Sequence, residues 1–420
     1  MMNQIWKPEL LAPAKNLNRL KIAILYGADA VYVGGQKYGL RTRADNFTEA
    51  ELAKAATFAH QHEAKLYVTL NAFLHDADFD GLADYCHFLE DIGIDAVIVS
   101  DLGVVRHVQQ HSKLSIHLST QASCLNLYAA QAWQKLGVKR LIVGRELSTS
   151  EGGTIQAQAG IEVEMFTHGA MCMAYSGHCT ISNFTAGRDS NRGGCVQSCR
   201  FPFQLTTAEP SNLISVDALQ SGTAVTTTPF MSSKDLWGIY QIEAFFRDRI
   251  CSLKIEGRMK SPLYVATTCR AYRRLIDADA DDTITEALLD EVAAELDAVP
   301  HRDYFSGSLE TPAGPDSVFQ QFNGVNRSSH QYIGQVIDIT SDYFVLRLIE
   351  NVALNDRLEF LTHDYQTVTW QVSELYTITG HPISEMRQDS LVCIPRPPAL
   401  SSVQKLNVVR AAHQPEPEFA

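Results

Sequence analysis

Four cysteines, Cys172, Cys179, Cys195 and Cys199, stand within 28 residues at the spacing C-x6-C-x15-C-x3-C. Thiolates at that density bind soft metals, and neither C-x-x-C pair of a zinc ribbon is present, so an iron–sulfur cluster is the favoured ligand, with zinc or free thiols as alternatives. The spacing C-x3-C-x2-C of S-adenosylmethionine radical chemistry is disfavoured, because Pro202 holds the place of its third cysteine. Five further cysteines, Cys86, Cys124, Cys251, Cys269 and Cys393, are scattered and read as core residues, Cys86 on the apolar face Phe79-Leu82-Cys86-Leu89. An odd total of nine, with no secretory leader at the start, argues against a disulfide framework.

Something must hold these thiols in place, and the hydrophobic pattern says what. Short aliphatic runs alternate with helical stretches: Leu10–Ala12, Ala30–Val33, Lys65–Thr69, Ala96–Val99, Ser115–Leu118, Arg140–Val143, Glu162–Phe166 and Ser252–Glu256. Thr48 and Glu51 form a capping box, and Gly27 and Gly93 sit where helices end. Eight βα units predict an α/β fold, a (β/α)8 TIM-barrel-like domain; an open doubly wound sheet is the alternative, but no glycine-rich phosphate loop follows any strand. The interval between the seventh and eighth strands is far longer than the others. This predicts a cysteine-rich insertion over about 167–233, leaving the carboxyl end of a strand where barrels build their active sites. The expected organisation is a catalytic domain over 1–310, a Gly/Pro/Ser-rich linker over 311–330, a small C-terminal β-barrel domain over 331–410 and a tail over 411–420.

Barrel logic supplies further candidates, since polar side chains just past a strand's carboxyl end point into the shared mouth. They are Asn71, Asp101, Gln121, Arg145, Glu146, His168, Glu256 and Arg258. Arg145 and Arg258 suit a carboxylate, Glu146, Glu256 or His168 suit proton transfer, and Tyr175 suits stacking on a base.

Met-Cys172-Met-Ala-Tyr-Ser-Gly-His-Cys179 and Gly-Arg-Asp-Ser-Asn-Arg-Gly-Gly-Cys195-Val-Gln-Ser-Cys199-Arg closely resemble the signature of the collagenase-like peptidase family, within it a tRNA-modifying subgroup. Glu9-Leu-Leu-Ala-Pro-Ala, Ser233-Lys-Asp-Leu, Ser252-Leu-Lys-Ile-Glu-Gly-Arg-Met-Lys-Ser261 and Asp356-Arg-Leu-Glu-Phe-Leu extend the resemblance along most of the chain. It implies that Cys172, Cys179, Cys195 and Cys199 hold a 4Fe-4S cluster. It also implies oxygen-independent hydroxylation of the wobble uridine of tRNA to 5-hydroxyuridine, with prephenate, a small dicarboxylate, as co-substrate. His178 stands where the family pattern has Arg and Ser190 where it has Pro; neither change removes a ligand.

The net charge of −13 argues against non-specific coating of nucleic acid, so an RNA partner needs a local basic face. Arg247, Arg249, Lys254, Arg258, Lys260, Arg270, Arg273 and Arg274, opposed only by Asp248 and Glu256, offer one. No run of about 18 apolar residues occurs, which with the start of the chain reads as a cytoplasmic protein without a membrane partner. Three other functions compete: a peptidase, although no H-E-x-x-H or G-x-S-x-G is present, a cluster-dependent hydroxylase of a small molecule, and a non-enzymatic cluster-binding RNA module.

Overall fold

The computed structural model describes residues 6–40, 46–204, 227–318 and 328–413. Part of the expected insertion (205–226), part of the linker (319–327) and the tail from 414 lie outside the described residues.

All eight expected strands form: β1 (Glu9–Pro13), β2 (Ala30–Gly34), β3 (Lys65–Leu70), β4 (Ala96–Val99), β5 (Ser115–Leu118), β6 (Arg140–Ile142), β7 (Glu162–Ala170) and β8 (Ser252–Ile255). Each pairs in parallel with the next. The eighth returns to the first, Glu9 opposite Ser252 and Leu11 opposite Lys254, which closes the barrel and excludes the open sheet. Helices alternate with the strands: α1 (Leu17–Leu25), α2 (Glu49–Gln61), α3 (Leu82–Asp91), α4 (Leu102–His111), α5 (Leu127–Lys135) and α6 (Thr149–Ala159). The Thr48–Glu51 capping box forms as expected at the start of α2. In the insertion lies α7 (Ile181–Ala186), followed by α8 (Ile242–Arg247) before β8, and by α9 (Pro262–Ala280) and α10 (Glu286–Leu296) after it. Two short strands that the hydrophobic pattern does not reveal, Asp235–Trp237 and Tyr304–Phe305, extend the sheet beside β7. They are too short to carry a period-2 signal.

The barrel interior is charged toward its amino end. Arg140 reaches Glu9 at 2.5 Å and Glu164 at 3.5 Å, and Lys254 pairs with Glu164 at 2.7 Å. Barrel cores are ordinarily packed with branched aliphatic side chains, so this column is a departure with a cost in desolvation. His117 stands beside it, and burial together with the nearby Arg140 drives its pKa well below the ordinary histidine value, so it stays neutral.

An antiparallel half-barrel follows, in the order Thr367–Gln371, Arg357–Leu361, Val408–Ala412, His330–Ile339, Tyr343–Leu348, Leu391–Pro395, Leu375–Tyr376, Pro382–Ile383. It packs on the parallel barrel through α1 and α9. Tyr26 donates to the Leu361 carbonyl at 2.5 Å and accepts from the Val408 amide at 2.9 Å. Arg270 donates to the Tyr365 and Gln366 carbonyls at 2.7 and 3.2 Å. Covered on both sides, α9 buries fifteen of its nineteen residues. Cys86, Cys124 and Cys269 are core residues as expected, whereas Cys251, just before β8, and Cys393, within Leu391–Pro395, are only half-buried.

Candidate functional site

At the carboxyl end of the barrel the insertion folds over a cavity of about 200 Å³. Cys172, Cys179, Cys195 and Cys199 all line it, on the same side of the molecule as the strand-end residues Asn71, Gln121, Arg145, Glu256 and Arg258. The insertion is fastened to the barrel loops. Ser176 donates its backbone amide to Glu146 at 2.9 Å and its hydroxyl to the same carboxylate at 3.1 Å. On the opposite rim, Arg192 donates to the Phe73 carbonyl at 2.7 Å and pairs with Asp78 at 2.8 Å. Gly177 is required at the seam: its φ is +83°, and a Cβ there would run into the backbone carbonyl of Gln121.

Each cationic side chain in the cavity is fixed. The Arg145 guanidinium lies 3.9 Å from the centre of the Phe166 ring, with Nη1 3.9 Å from the Cys172 sulfur. Arg258 is buried, its Nη1 3.4 Å from the Thr69 hydroxyl, and packs so closely on Gly34 that a side chain there would collide with it. Arg200 donates to Ser232 at 3.3 Å, to the Ser233 carbonyl at 3.0 Å and to the Met171 carbonyl, tying the two ends of the insertion together. Tyr175 lines the cavity with its ring 59% exposed, open to an incoming partner.

The thiols form one electrostatic group. Burial pushes the Cys199 thiol up from its ordinary value, neighbouring Arg200 opposes this, and Cys172, Cys195 and Cys179 add to the rise. Among the described residues no three metal-ligating side chains converge as they would around a single ion. Four thiols around one cavity are a donor set of the kind that soft metals such as iron and zinc bind.

Three mouth candidates need correction. His168 points away from the cavity, because β7 and β8 slip register between Lys254 and Ile255, so that Phe166 faces Lys254 but His168 faces Ile255. One extra residue reverses the alternation. The imidazole therefore sits in the layer against α9, 3.3 Å from the Tyr272 hydroxyl, where burial above all, then Lys260 and His301, lower its pKa to about 3. A ring so buried and neutral does not exchange protons with the cavity. Asp101 is the N-cap of α4, accepting the Val104 amide at 3.0 Å. Glu146 does not line the cavity; both its oxygens are engaged by Ser176.

The basic stretch also proves different from its composition. Arg273 pairs with Asp29 and Asp277 at 3.0 Å each, Arg274 with Glu291 at 2.7 Å and Arg270 with Glu295 at 2.5 Å. Arg247 pairs with Asp248 at 2.9 Å, Arg249 stacks on Trp6 and Lys260 donates to the Pro300 carbonyl at 3.1 Å. Arg270, Arg273 and Arg274 are thus committed to carboxylates of the fold, Lys254 and Arg258 line the cavity instead, and of the eight only Arg247 and Arg249 are exposed. Conversely, residues that spacing alone did not mark line the cavity: Tyr32, Thr69, Phe166, Asn191, Arg200 and Lys254. One signal was available, since Lys254, Glu256 and Arg258 alternate along and just past β8, and period 2 turns all three inward.

The family model for peptidase family U32 matches residues 15–317. The chain belongs to that family. Among its relatives, the tRNA hydroxylation protein P1 of Bacillus subtilis is 39% identical over 386 residues, covering 91% of this chain and 90% of that protein. The tRNA hydroxylation protein P of Escherichia coli is 32% identical over 397 residues, covering 85% of this chain and 87% of that protein. The 23S rRNA 5-hydroxycytidine C2501 synthase of Escherichia coli is 32% identical over 363 residues, covering 84% of this chain but 52% of that protein. The collagenase-like resemblance of the cysteine signature is thus a family membership. No helix among the described residues is long and apolar enough to cross a membrane.

Proposed function

We propose that this chain is an RNA-hydroxylating enzyme acting in the cytoplasm on tRNA, converting the wobble uridine to 5-hydroxyuridine without molecular oxygen. The observation that carries the reading is the convergence of four cysteine thiols and three arginines on one cavity at the barrel mouth. Relatives named for tRNA hydroxylation and for 5-hydroxycytidine synthesis support RNA as the substrate and a pyrimidine as the target. Replacing a C5–H bond by C5–OH removes two electrons from the base. Without oxygen, both the hydroxyl and the oxidising equivalents come from another reactant; prephenate is the proposed source of both, giving up its carbon-bound hydroxyl and leaving reduced by two electrons, with hydrogen in the hydroxyl's place.

Cys172, Cys179, Cys195 and Cys199 would hold a 4Fe-4S cluster, which when bound supplies one-electron exchange beside the cavity. Arg145 and Arg258 bind the carboxylates of the small co-substrate, for which planar guanidinium groups are well suited. Tyr175, exposed at the rim, stacks on the extruded base. Glu256 lines the same cavity and is the remaining candidate for moving a proton. Asn71 and Gln121 offer amide donors and acceptors for the base edge.

The test is mass spectrometry of tRNA nucleosides from cells lacking the gene, complemented with the wild type or with Cys195→Ser. Loss of 5-hydroxyuridine restored only by the wild type is expected. Unchanged hydroxyuridine, with peptide cleavage by the purified protein that Cys195→Ser abolishes, would establish the peptidase function instead.

A further inference from the structure

Among the described residues that line the cavity, Lys254 is held by the charged column of the barrel interior. Its ammonium is 2.7 Å from Glu164, a carboxylate with no exposed side-chain surface. Glu164 is held from its other side by Arg140 at 3.5 Å, and Arg140 in turn by Glu9 at 2.5 Å and Glu162 at 2.9 Å. Aromatic faces bracket the ammonium, with the ring centre of Tyr32 at 4.4 Å and that of Phe166 at 5.6 Å. The Phe166 ring also carries the Arg145 guanidinium. Two cations therefore share one aromatic ring at the cavity wall.

Such a column is costly to bury and is not needed to close a barrel, which well-packed aliphatic layers do more cheaply. Its charges alternate, negative at Glu9, positive at Arg140, negative at Glu164 and positive at Lys254; Glu162 on Arg140 and Lys65 on Glu9 at 3.5 Å balance each other, and the positive end is turned toward the cavity. An ammonium has three N–H donors, and the contact with Glu164 uses one. A long, flexible lysine would ordinarily lose considerable rotamer entropy on being held still; here Glu164 and the two rings have already fixed it.

We infer that Lys254 is a binding residue for the small co-substrate: its ammonium, pre-positioned by Glu164, donates to a carboxylate that enters the cavity ahead of the RNA base. This rests on the reading of the chain as a hydroxylase fed by a small carboxylate, and adds a third cation to Arg145 and Arg258. Depth distinguishes its role. Lys254 lies within β8, below Glu256 and Arg258 along the strand, so the carboxylate it receives is the one inserted deepest. The site thereby selects a slender acid over a bulky one, and leaves the rim, with Tyr175, to the RNA.

The experiment measures prephenate binding to the purified holoprotein by calorimetry, and tRNA binding separately, for wild type, Lys254→Met and the double variant Lys254→Met/Glu164→Gln. The double variant removes both charges of the pair, so it leaves no uncompensated buried carboxylate and keeps the fold available if the single variant is unstable. Both folded variants are expected to lose prephenate affinity by about tenfold to a hundredfold, the range of a charged hydrogen bond, with tRNA affinity unchanged. Unaltered prephenate binding in either folded variant overturns the role of Lys254. Failure of the wild type to bind prephenate, while it still hydroxylates tRNA with another donor, instead overturns the choice of co-substrate. In that event the same variants are scored on the donor that works, and only an unchanged KM for that donor removes the assignment.

Discussion

Two sets of arginines differ in what surrounds them. Arg145, Arg200 and Arg258 line a cavity, each held by ring, hydroxyl or carbonyl contacts that orient the guanidinium while leaving the group at the cavity wall. Arg270, Arg273 and Arg274 lie on α9, closer together in sequence and more conspicuous there, yet each is matched to carboxylates and the first two are buried. In the second set Arg270 joins the barrel to the half-barrel, while Arg273 and Arg274 tie α9 to carboxylates of its own domain; the first set faces the cavity. What separates them is the partner supplied by the fold: a helix covered on both sides neutralises its cations, while a strand end at a barrel mouth presents them.

Cys195→Ser tests the mouth most severely. Removing one of four thiolates is expected to abolish the proposed cluster, read as loss of the brown colour and of the roughly four irons and four sulfides per chain that such a cluster requires in the wild type, together with loss of hydroxyuridine. Arg270→Ala is the corresponding break at the joint. It leaves Glu295 buried without its 2.5 Å partner and removes three donors to the half-barrel, so chemical denaturation should show a loss of about 3–5 kcal/mol. Arg145→Ala should behave in the opposite way, with little change in unfolding and a rise of about tenfold to a hundredfold in KM for the carboxylate donor. If Arg145→Ala unfolds the protein and Arg270→Ala spares it, the division between the two sets is mistaken.

The barrel was legible because its strands are buried on both faces and read as unbroken aliphatic runs, and because a long gap marks an insertion. The four cysteines were legible for a similar reason: their types and spacing stand out whatever the fold does. His168 was misplaced because a single-residue register slip between β7 and β8 leaves no trace in composition. The α9 arginines misled because their partners, Asp29, Glu291 and Glu295, come from elsewhere in the chain, and net charge over a window is blind to them. Lys254 lay within that same window; its period-2 spacing with Glu256 and Arg258 marks it as inward-facing, but its pairing with Glu164 could not be read from the sequence.

Acid offers a milder probe of the half-barrel. Hydrogen bonds from His330 and Arg410 hold the Glu359 carboxyl at about 2, against its ordinary 4.5. A carboxyl depressed by folding stabilises the native state above its unfolded pKa, and that contribution is lost as pH falls from about 4.5 through about 2. Melting temperature should therefore drop over this window in the wild type, and more shallowly in Glu359→Gln. An equal slope in both would mean that the contacts to His330 and Arg410 add nothing to folding.

The smallest effect sharpens the comparison most. Arg274 is 22% exposed and its partner Glu291 is 65% exposed, so this is a surface pair worth about 0–1 kcal/mol. If the α9 cations met tRNA phosphates, Arg274→Ala would weaken tRNA binding and lower the slope of log affinity against log salt by roughly one unit per lost contact. Because Arg274 is already committed to Glu291 and Glu295, the slope is expected to stay at the wild-type value, with only a slight fall in stability. Binding titrations at several salt concentrations decide between the two. A reduced slope would return α9 to the RNA-binding surface and make its carboxylate partners competitors for phosphate.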